Sequence, residues 1–100
     1  HYSARGINGP IDELLFPIHH GILHYPGFSV LPPLVFYRTG RMDETRYAQI
    51  CAEMSHRLDT LESATPISFR QQNGGDYAIP SLILKPEIAP EKNGFAAHLK

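Results

Sequence analysis

Two histidines have the spacing in this chain that most directly suggests chemistry. His20 and His24 are four positions apart, which places both rings on one face of a helix, and His19 lies beside the first. Imidazoles at this spacing can ligate a metal ion, but a structural zinc site usually has about four ligands. Two interpretations therefore stay open. The histidines are weak candidates for a metal site, or they stabilise the C-terminal end of the helix through its dipole.

Other catalytic patterns are missing from the sequence. It contains no Walker phosphate loop and no Gly-x-Gly-x-x-Gly pattern, and Asn73-Gly74-Gly75-Asp76 is typical of a turn. No serine lies in the context of a nucleophile elbow. Asp43-Glu44 is typical of a helix start, and no other carboxylate supports paired acid–base catalysis. Cys51 lies on an apolar helical stripe and is predicted to be part of the core.

The element that would position the histidines is an amphipathic helix over about residues 10–25. Pro10 suits its first turn, and Pro26-Gly27 ends it. Pro17 cannot donate a hydrogen bond to the carbonyl of Glu13, so we expect a kink or a break there. The helix has one apolar stripe, formed by Ile11, Leu14, Leu15, Ile18 and Ile22.

The following elements predict an α/β pattern. Residues 28–37 are apolar, β-branched and aromatic, and we interpret them as a strand. Pro32-Pro33 places that strand at a sheet edge or bends it. Asp43 is predicted to cap a second helix that ends near residue 62. A helix, a buried strand and a helix in succession imply further strands upstream. The apolar stripe of the second helix consists of Tyr47, Ile50, Cys51, Met54, Leu58 and Leu61.

Residues 63–100 differ from what precedes them, because prolines and a glycine-rich turn interrupt them. We expect two regions: 1–62 as part of an α/β domain, and 63–100 as an extended tail that wraps a surface. The first residue is His1, and the last third of the chain has few long apolar stretches. Both observations suggest a fragment with a weak core.

Composition limits the expected partners and the expected location of the protein. The net charge is −1, and the basic residues do not cluster with aromatic ones, so neither nucleic acid nor an acidic membrane is an expected partner. No apolar run is long enough to span a bilayer, and no secretory signal is seen. A single cysteine excludes an internal disulfide framework and favours a reducing, cytoplasmic location.

One run of sequence resembles a known family. It contains Tyr2-Ser3, Gly6-Ile7-Asn8-Gly9, Pro17-Ile18, Gly21-Ile22-Leu23 and Gly27-Phe28-Ser29-Val30-Leu31. These residues are similar to the matching stretch of the flavin-dependent NAD(P)H:quinone oxidoreductases. The likeness is strong over 1–38, fair over 39–70 and weak beyond, and it corresponds to roughly the C-terminal two-fifths of a family member.

The resemblance implies a fold and a reaction. Family members have a flavodoxin-like, doubly wound parallel sheet, are homodimers, and bind FAD or FMN at the C-terminal ends of the strands. They transfer hydride from NAD(P)H to the flavin and then to a quinone. This chain would then supply the last helix, edge strand and helix of the domain, and the tail of 63–100 would contact the second subunit of the dimer.

The resemblance also implies site residues. Tyr2 matches a tyrosine beside the N1/O2 edge of the flavin, and the alternative is a half-buried aromatic of the loop. Gly6 in the same loop is a further predicted cofactor contact. Asn8 matches a position where many members have a histidine, and asparagine can donate a hydrogen bond but cannot take up a proton. Asn8 could instead, or also, act as a helix N-cap. Tyr25 matches an aromatic residue that stacks on the quinone in the partner subunit's pocket, and the alternative is an aromatic that anchors the helix end.

Two further positions follow from the resemblance. Arg46, or its neighbour Tyr47, lies near the region that contacts the adenine part of FAD. A related branch of the family holds a metal with two histidines at the positions of His20 and His24 and a downstream cysteine. This chain has Ile67-Ser68-Phe69 in that downstream segment, without a cysteine.

The sequence therefore predicts the C-terminal portion of a flavin-dependent NAD(P)H:quinone oxidoreductase, with the isolated 100-residue chain inactive. Tyr2 and Asn8 are the predicted catalytic residues, Tyr2, Gly6 and Arg46 the cofactor contacts, and Asn8 and Tyr25 the substrate contacts. The alternative is a flavin-free dimerisation or binding module, or an inactive fragment.

Overall fold

The chain divides into two compact units. The computed structural model describes all of residues 1–100. The first unit joins His1–Val30 to Ile67–Lys100, and the second is Leu31–Pro66. None of the helices has the length and apolar composition needed to cross a membrane. The helical elements, in chain order, are α1 (Ile11–Phe16), a π-helix (Pro17–His24), a 3-10 turn (Thr39–Arg41), α2 (Glu44–Asp59) and two more 3-10 segments, Leu61–Ser63 and Gly94–His98.

The first predicted helix is confirmed, including its interruption. α1 starts after Pro10, whose carbonyl accepts from the backbone N–H of Leu14 at 3.2 Å. At Pro17 the α-helix gives way to the wider π winding. Proline has no N–H to continue the bonding of the α-helix, so the change of winding falls where that donor is lost. The π winding ends with Tyr25, whose N–H donates to the carbonyl of His20 at 2.9 Å.

The predicted strand over 28–37 does not form. The segment has no regular secondary structure, although Val30 is buried and its carbonyl accepts from the N–H of Ile67 at 2.7 Å. The chain has two isolated antiparallel bridges, which pair Phe69 with Leu99 and Tyr77 with Leu84, and no sheet. A strand needs a neighbouring strand for its ladder, and residues 32 and 33 are prolines that cannot donate to one.

The second predicted helix is confirmed, but its predicted burial is not. The Asp43 carboxylate accepts from the N–H of Arg46 at 2.7 Å and so caps α2 as expected. Cys51 is exposed, so the prediction that it belongs to a core is wrong. The second unit contains one long helix, and a helix buries its apolar stripe only against another packed element. Tyr47 and Leu58 on that stripe are accordingly more than half exposed.

The first unit has a small core and a folded tail. Its buried apolar residues are Val30, Phe69, Tyr77 and Ala97. The end of the tail returns to its beginning, because Lys100 donates through its N–H to the carbonyl of Ser68 at 2.9 Å. The turn predicted at 73–76 is confirmed. This unit therefore orders the tail through a few backbone bonds and one aromatic cluster, consistent with the weak core expected from the sequence.

Candidate functional site

The N-terminal loop holds three of the predicted site residues. Its backbone closes on itself: the N–H of Gly6 donates to the carbonyl of Ser3 at 2.9 Å, and the N–H of Asn8 donates to the carbonyl of His1 at 3.0 Å. These bonds bring the backbone at Tyr2, Gly6 and Asn8 into one short turn. The structure therefore places together the residues for which the family resemblance predicts flavin contacts.

Gly6 is required by this loop. A Cβ atom built on Gly6 would lie 2.2 Å from the carbonyl oxygen of His1, far closer than any real contact of that kind. The carbonyl belongs to the backbone and the Cβ is fixed to it, so neither can move aside as the end of a side chain would. The bare backbone of Gly6 is thus what allows the loop to close.

The side chains of the loop face outward in part. Tyr2 is 42% exposed, and Asn8 is exposed. Asn8 does not cap α1, because the N-cap position belongs to Pro10. The interpretation of Asn8 as a helix cap is therefore wrong, and its backbone N–H donates within the loop instead.

Tyr25 lies at the end of the π-helix. Its side chain is 69% exposed, and that of the nearby Phe28 is 64% exposed. Large aromatic rings at this exposure are available to stack on a flat molecule or on another protein surface. Arg46 belongs to the second unit, where its backbone N–H takes part in the cap of α2.

His20 and His24 lie in a cluster of rings in the first unit. His20 stacks on Phe16 with ring centroids 4.7 Å apart, and it meets Phe69 edge to face at 5.1 Å. The ring of His24 lies 4.9 Å from that of Phe69 and 5.5 Å from that of His20. His98 approaches His20 to 5.8 Å between centroids. Aromatic packing therefore accounts for the position of these histidines.

The cluster does not form a metal site of three or more ligands. No group of three histidine, cysteine or acidic side chains in residues 1–100 is arranged to hold a metal ion. Phe69 packs against both His20 and His24, in the segment where the family resemblance would require a cysteine. A phenyl ring offers no lone pair to a metal. The Nε2 atom of His24 instead lies 3.4 Å from the carbonyl oxygen of Arg70, outside the helix.

The electrostatics of the cluster favour neutral imidazole at His20. Burial lowers the pKa of His20, and the neighbouring His24 and His98 lower it further. A protonated His20 would lose hydration in this cluster and would lie beside two other imidazoles. The folded chain therefore favours the neutral form of the His20 ring.

Two polar pairs in the tail had no signal in the sequence. The hydroxyl of Tyr77 lies 2.7 Å from Nδ1 of His98, and the two rings stack at an angle of 11°. The buried guanidinium of Arg70 donates to Asp76 at 3.1 Å and to the carbonyl of Ala97 at 2.7 Å. The bonds from Tyr77 to His98 and from Arg70 to Ala97 join positions more than twenty residues apart, so no local spacing reveals them.

The comparisons with known proteins place the chain among quinone oxidoreductases. No protein-family model matches the chain. Homologues and a structural neighbour do cover it: they are NAD(P)H quinone oxidoreductases, and the chain corresponds to a C-terminal portion of such longer proteins.

Three of the matching proteins show how similar the chain is and how much of each protein it spans. The chain is 45% identical over its whole length to the ribosyldihydronicotinamide dehydrogenase-like protein traD of Penicillium crustosum and spans 37% of that protein. It is 34% identical over 91% of its length to NAD(P)H dehydrogenase [quinone] 1 of Cavia porcellus and spans 34% of that protein. A crystal structure from Klebsiella pneumoniae, assigned as a quinone reductase, matches the entire chain with a TM-score of 0.96 and 63% identity. The chain spans 39% of that solved structure.

Proposed function

We propose that this chain supplies part of a flavin-dependent NAD(P)H:quinone oxidoreductase with a flavodoxin-like fold. The observation that carries the proposal is the closed N-terminal loop, which holds Tyr2, Gly6 and Asn8 together in a chain homologous to quinone oxidoreductases. The bound flavin, FAD or FMN, would accept hydride from NAD(P)H and pass it to the quinone. The residues of the protein would position the flavin and the quinone and would donate hydrogen bonds to them.

The donor set of the loop fits a flavin. The Tyr2 hydroxyl is a donor suited to the electron-rich N1/O2 edge of the isoalloxazine, where negative charge develops on reduction. The bare backbone at Gly6 lets the loop that carries Tyr2 close, since a side chain at this position would collide with the carbonyl of His1. Both features lie in a loop whose shape is fixed by its own backbone bonds.

Asn8 has a narrower role than a histidine would have. Its exposed amide can donate to a quinone or nicotinamide oxygen and orient it. It does not titrate near neutral pH, so the proton that accompanies hydride transfer to the quinone must come from another group or from solvent. Asn8 is thus a substrate-orienting residue in this proposal.

Tyr25 is the proposed contact to the quinone. Its exposed ring would stack on the flat substrate of a second subunit in a homodimer, and residues 63–100 would take part in the dimer contact. Arg46, in the second unit, is the proposed contact to the adenine end when the flavin is FAD. The proposed setting is the reducing cytoplasm, where an exposed Cys51 stays a thiol.

A chimera tests the proposal. Residues 1–100 replace the matching segment of the Klebsiella pneumoniae protein, and menadione reduction by NADH and by NADPH is followed. We expect the chimera to be active and Tyr2→Phe to lower kcat by roughly tenfold or more, as expected when a donor to a developing charge is removed. Tyr37→Phe, at an exposed tyrosine outside the proposed site, is the matched control and should leave kcat unchanged. A folded chimera with flavin but no turnover would overturn the proposal.

A second function is favoured by the exposed rings at the end of the π-helix. Tyr25 and Phe28 are both mostly exposed, and such rings in an interface act as anchors. A flavin-free dimerisation module made of two copies of this chain would use them. Sedimentation of the 100-residue chain distinguishes the cases: a dimer abolished by Tyr25→Ser and Phe28→Ser, with Tyr47→Ser as control, supports the module, and a monomer at all concentrations rules it out.

A further inference from the structure

A cavity of about 240 Å³ lies where helix α1 meets the end of the tail, within the first unit. Glu13 lines it from the helix, and the tail contributes Asn93, Gly94, Phe95 and Ala96. One water molecule takes about 30 Å³ of the liquid, so the cavity has room for a group of several heavy atoms. None of its residues belongs to the flavin and quinone contacts proposed above.

The charged group of this cavity is the carboxylate of Glu13. The ion pair that the chain forms joins Arg70 to Asp76, so Glu13 has no internal counter-ion. No lysine, arginine or histidine lines the cavity. A carboxylate that no cation of the chain neutralises attracts a positively charged occupant and repels an anion.

Phe95 gives the cavity an aromatic wall. Its ring stacks on that of Phe16, with centroids 4.3 Å apart and 17° between the planes. Phe16 also meets the buried Phe69 edge to face, with centroids 6.0 Å apart, so the stack is anchored to the core. Phe95 is nevertheless 43% exposed, which leaves ring surface for an occupant. An aromatic ring of this kind attracts a cation through its quadrupole.

Asn93 adds a polar group to the same cavity. Its side chain is exposed, and the amide oxygen can accept a hydrogen bond. The next residue, Gly94, has a φ of 59°, a left-handed conformation that glycine adopts without strain. The tail thus brings an acceptor and a ring to the cavity that the carboxylate of Glu13 lines from helix α1.

We propose that this cavity binds a guanidinium group, which donates two parallel N–H bonds to the Glu13 carboxylate and lies against the Phe95 ring. Guanidinium suits these walls better than an ammonium group, because it is planar, weakly hydrated and matches a carboxylate with two bonds at once. A further N–H can donate to the amide oxygen of Asn93. The guanidinium belongs either to an arginine side chain of another protein or to a small guanidino compound. The proposal needs no flavin and does not depend on the proposed function.

The test uses ethylguanidinium as the probe in an NMR titration of the ¹⁵N-labelled 100-residue chain, at about 150 mM salt to screen distant charges. We expect shifts of the backbone amide of Glu13 and of those in residues 93–96. Glu13→Gln keeps the size of the side chain and removes its charge, and it should weaken binding roughly fivefold. Asp12→Asn is the matched control, because Asp12 is exposed in the same helical turn but is absent from the cavity lining.

Two analogues separate charge from shape. N-Ethylurea has the planar shape of the probe without its charge, and propylammonium has the charge without the plane. Both should bind more weakly than ethylguanidinium. Equal binding of N-ethylurea would overturn the proposal, since the carboxylate would then play no part. Equal losses in Glu13→Gln and Asp12→Asn would also overturn it, because general attraction to the acidic turn would then account for binding.

Two larger ligands distinguish the sources of the guanidinium. One is free arginine, and the other is a blocked tripeptide with arginine between two glycines. Binding of the tripeptide supports an arginine side chain of a protein partner, and binding of free arginine alone supports a small guanidino compound. If neither binds, the proposal is overturned, because the cavity then admits no guanidinium on a natural carrier. Loss of flavin binding in the chimera would leave all of these outcomes unaffected.

Discussion

The rings of Phe69 and His20 meet edge to face, with centroids 5.1 Å apart and ring planes at 77°. His24 packs on the same phenyl ring from 4.9 Å. The two histidines thus have metal-ligand spacing, but the side chain that meets both of them is a hydrocarbon. This arrangement explains how a helix face that resembles half of a zinc site serves here as part of an aromatic core.

A cysteine in place of Phe69 should create a zinc site. Phe69→Cys puts a thiol beside two imidazoles, and His20 Nε2 has no partner to compete for it. We expect one zinc ion per chain, a cobalt derivative with thiolate-to-cobalt absorption, and a rise in unfolding temperature on addition of zinc. Phe28→Cys is the control, because Phe28 is 64% exposed. Equal zinc binding by both variants would contradict this account of the cluster.

Stability should fall in mild acid because of His20. Its pKa is lowered in the folded chain by burial and by the two neighbouring histidines, so the unfolded chain takes up the proton more readily. The contribution of neutral His20 to the free energy of unfolding is fully present above the ordinary pKa of 6.5. It is lost as the pH falls through the lowered pKa of the folded chain. Urea unfolding above and below pH 6.5 measures it. His20→Gln should flatten the dependence and His56→Gln, on α2, should not; an unchanged slope in the first variant would refute the prediction.

Gly6→Ala should open the N-terminal loop. The added methyl group would overlap the carbonyl oxygen of His1, and the loop can relieve that overlap only by breaking the bond from Asn8. Trypsin should then cut after Arg5 faster than in the parent chain. Gly21→Ala is the control, since a Cβ there meets nothing within 4 Å and alanine is favoured over glycine by about 0.5–1 kcal/mol inside a helix. Identical cleavage in the two variants would show that the loop does not depend on Gly6.

Asp43→Ala should destabilise α2. The variant loses the 2.7 Å bond from the N–H of Arg46, and caps of this type contribute about 1 kcal/mol to stability. The helix content of the variant, measured by circular dichroism, should fall at a lower urea concentration than that of the parent chain. Glu53→Ala removes a carboxylate from the middle of the same helix and should change the midpoint little. A larger effect from Glu53→Ala would mean that Asp43 does not cap the helix.

The sequence predicted what depends on neighbouring residues. Pro17 changed the winding of the first helix because a missing N–H acts on its own turn, and Asp43 capped the second because its partner is three positions away. The prediction of a strand over 28–37 is wrong for the opposite reason. A strand depends on neighbouring strands from elsewhere in the chain, and this chain forms no sheet. Cys51 was misplaced likewise, since a stripe predicts burial only where another element packs on it.

The candidate site likewise has local features that a sequence can predict and long-range pairings that it cannot. The loop that contains Tyr2 and Asn8 is closed by local backbone bonds, so a short sequence pattern can predict it. The pairing of Tyr77 with His98 spans more than twenty residues and left no periodic or compositional trace. The cavity lined by Glu13 and the end of the tail also joins distant positions, so it could be found only in the folded structure.

The most direct test of the central claim is the visible absorption spectrum of the chimera, purified after loading with FAD and with FMN. We expect a protein-bound flavin band at one flavin per subunit, and a weaker affinity for flavin in the Gly6→Ala variant than in the Gly21→Ala control. A folded chimera that stays colourless with both flavins would contradict the claim that residues 1–100 form part of a flavin site.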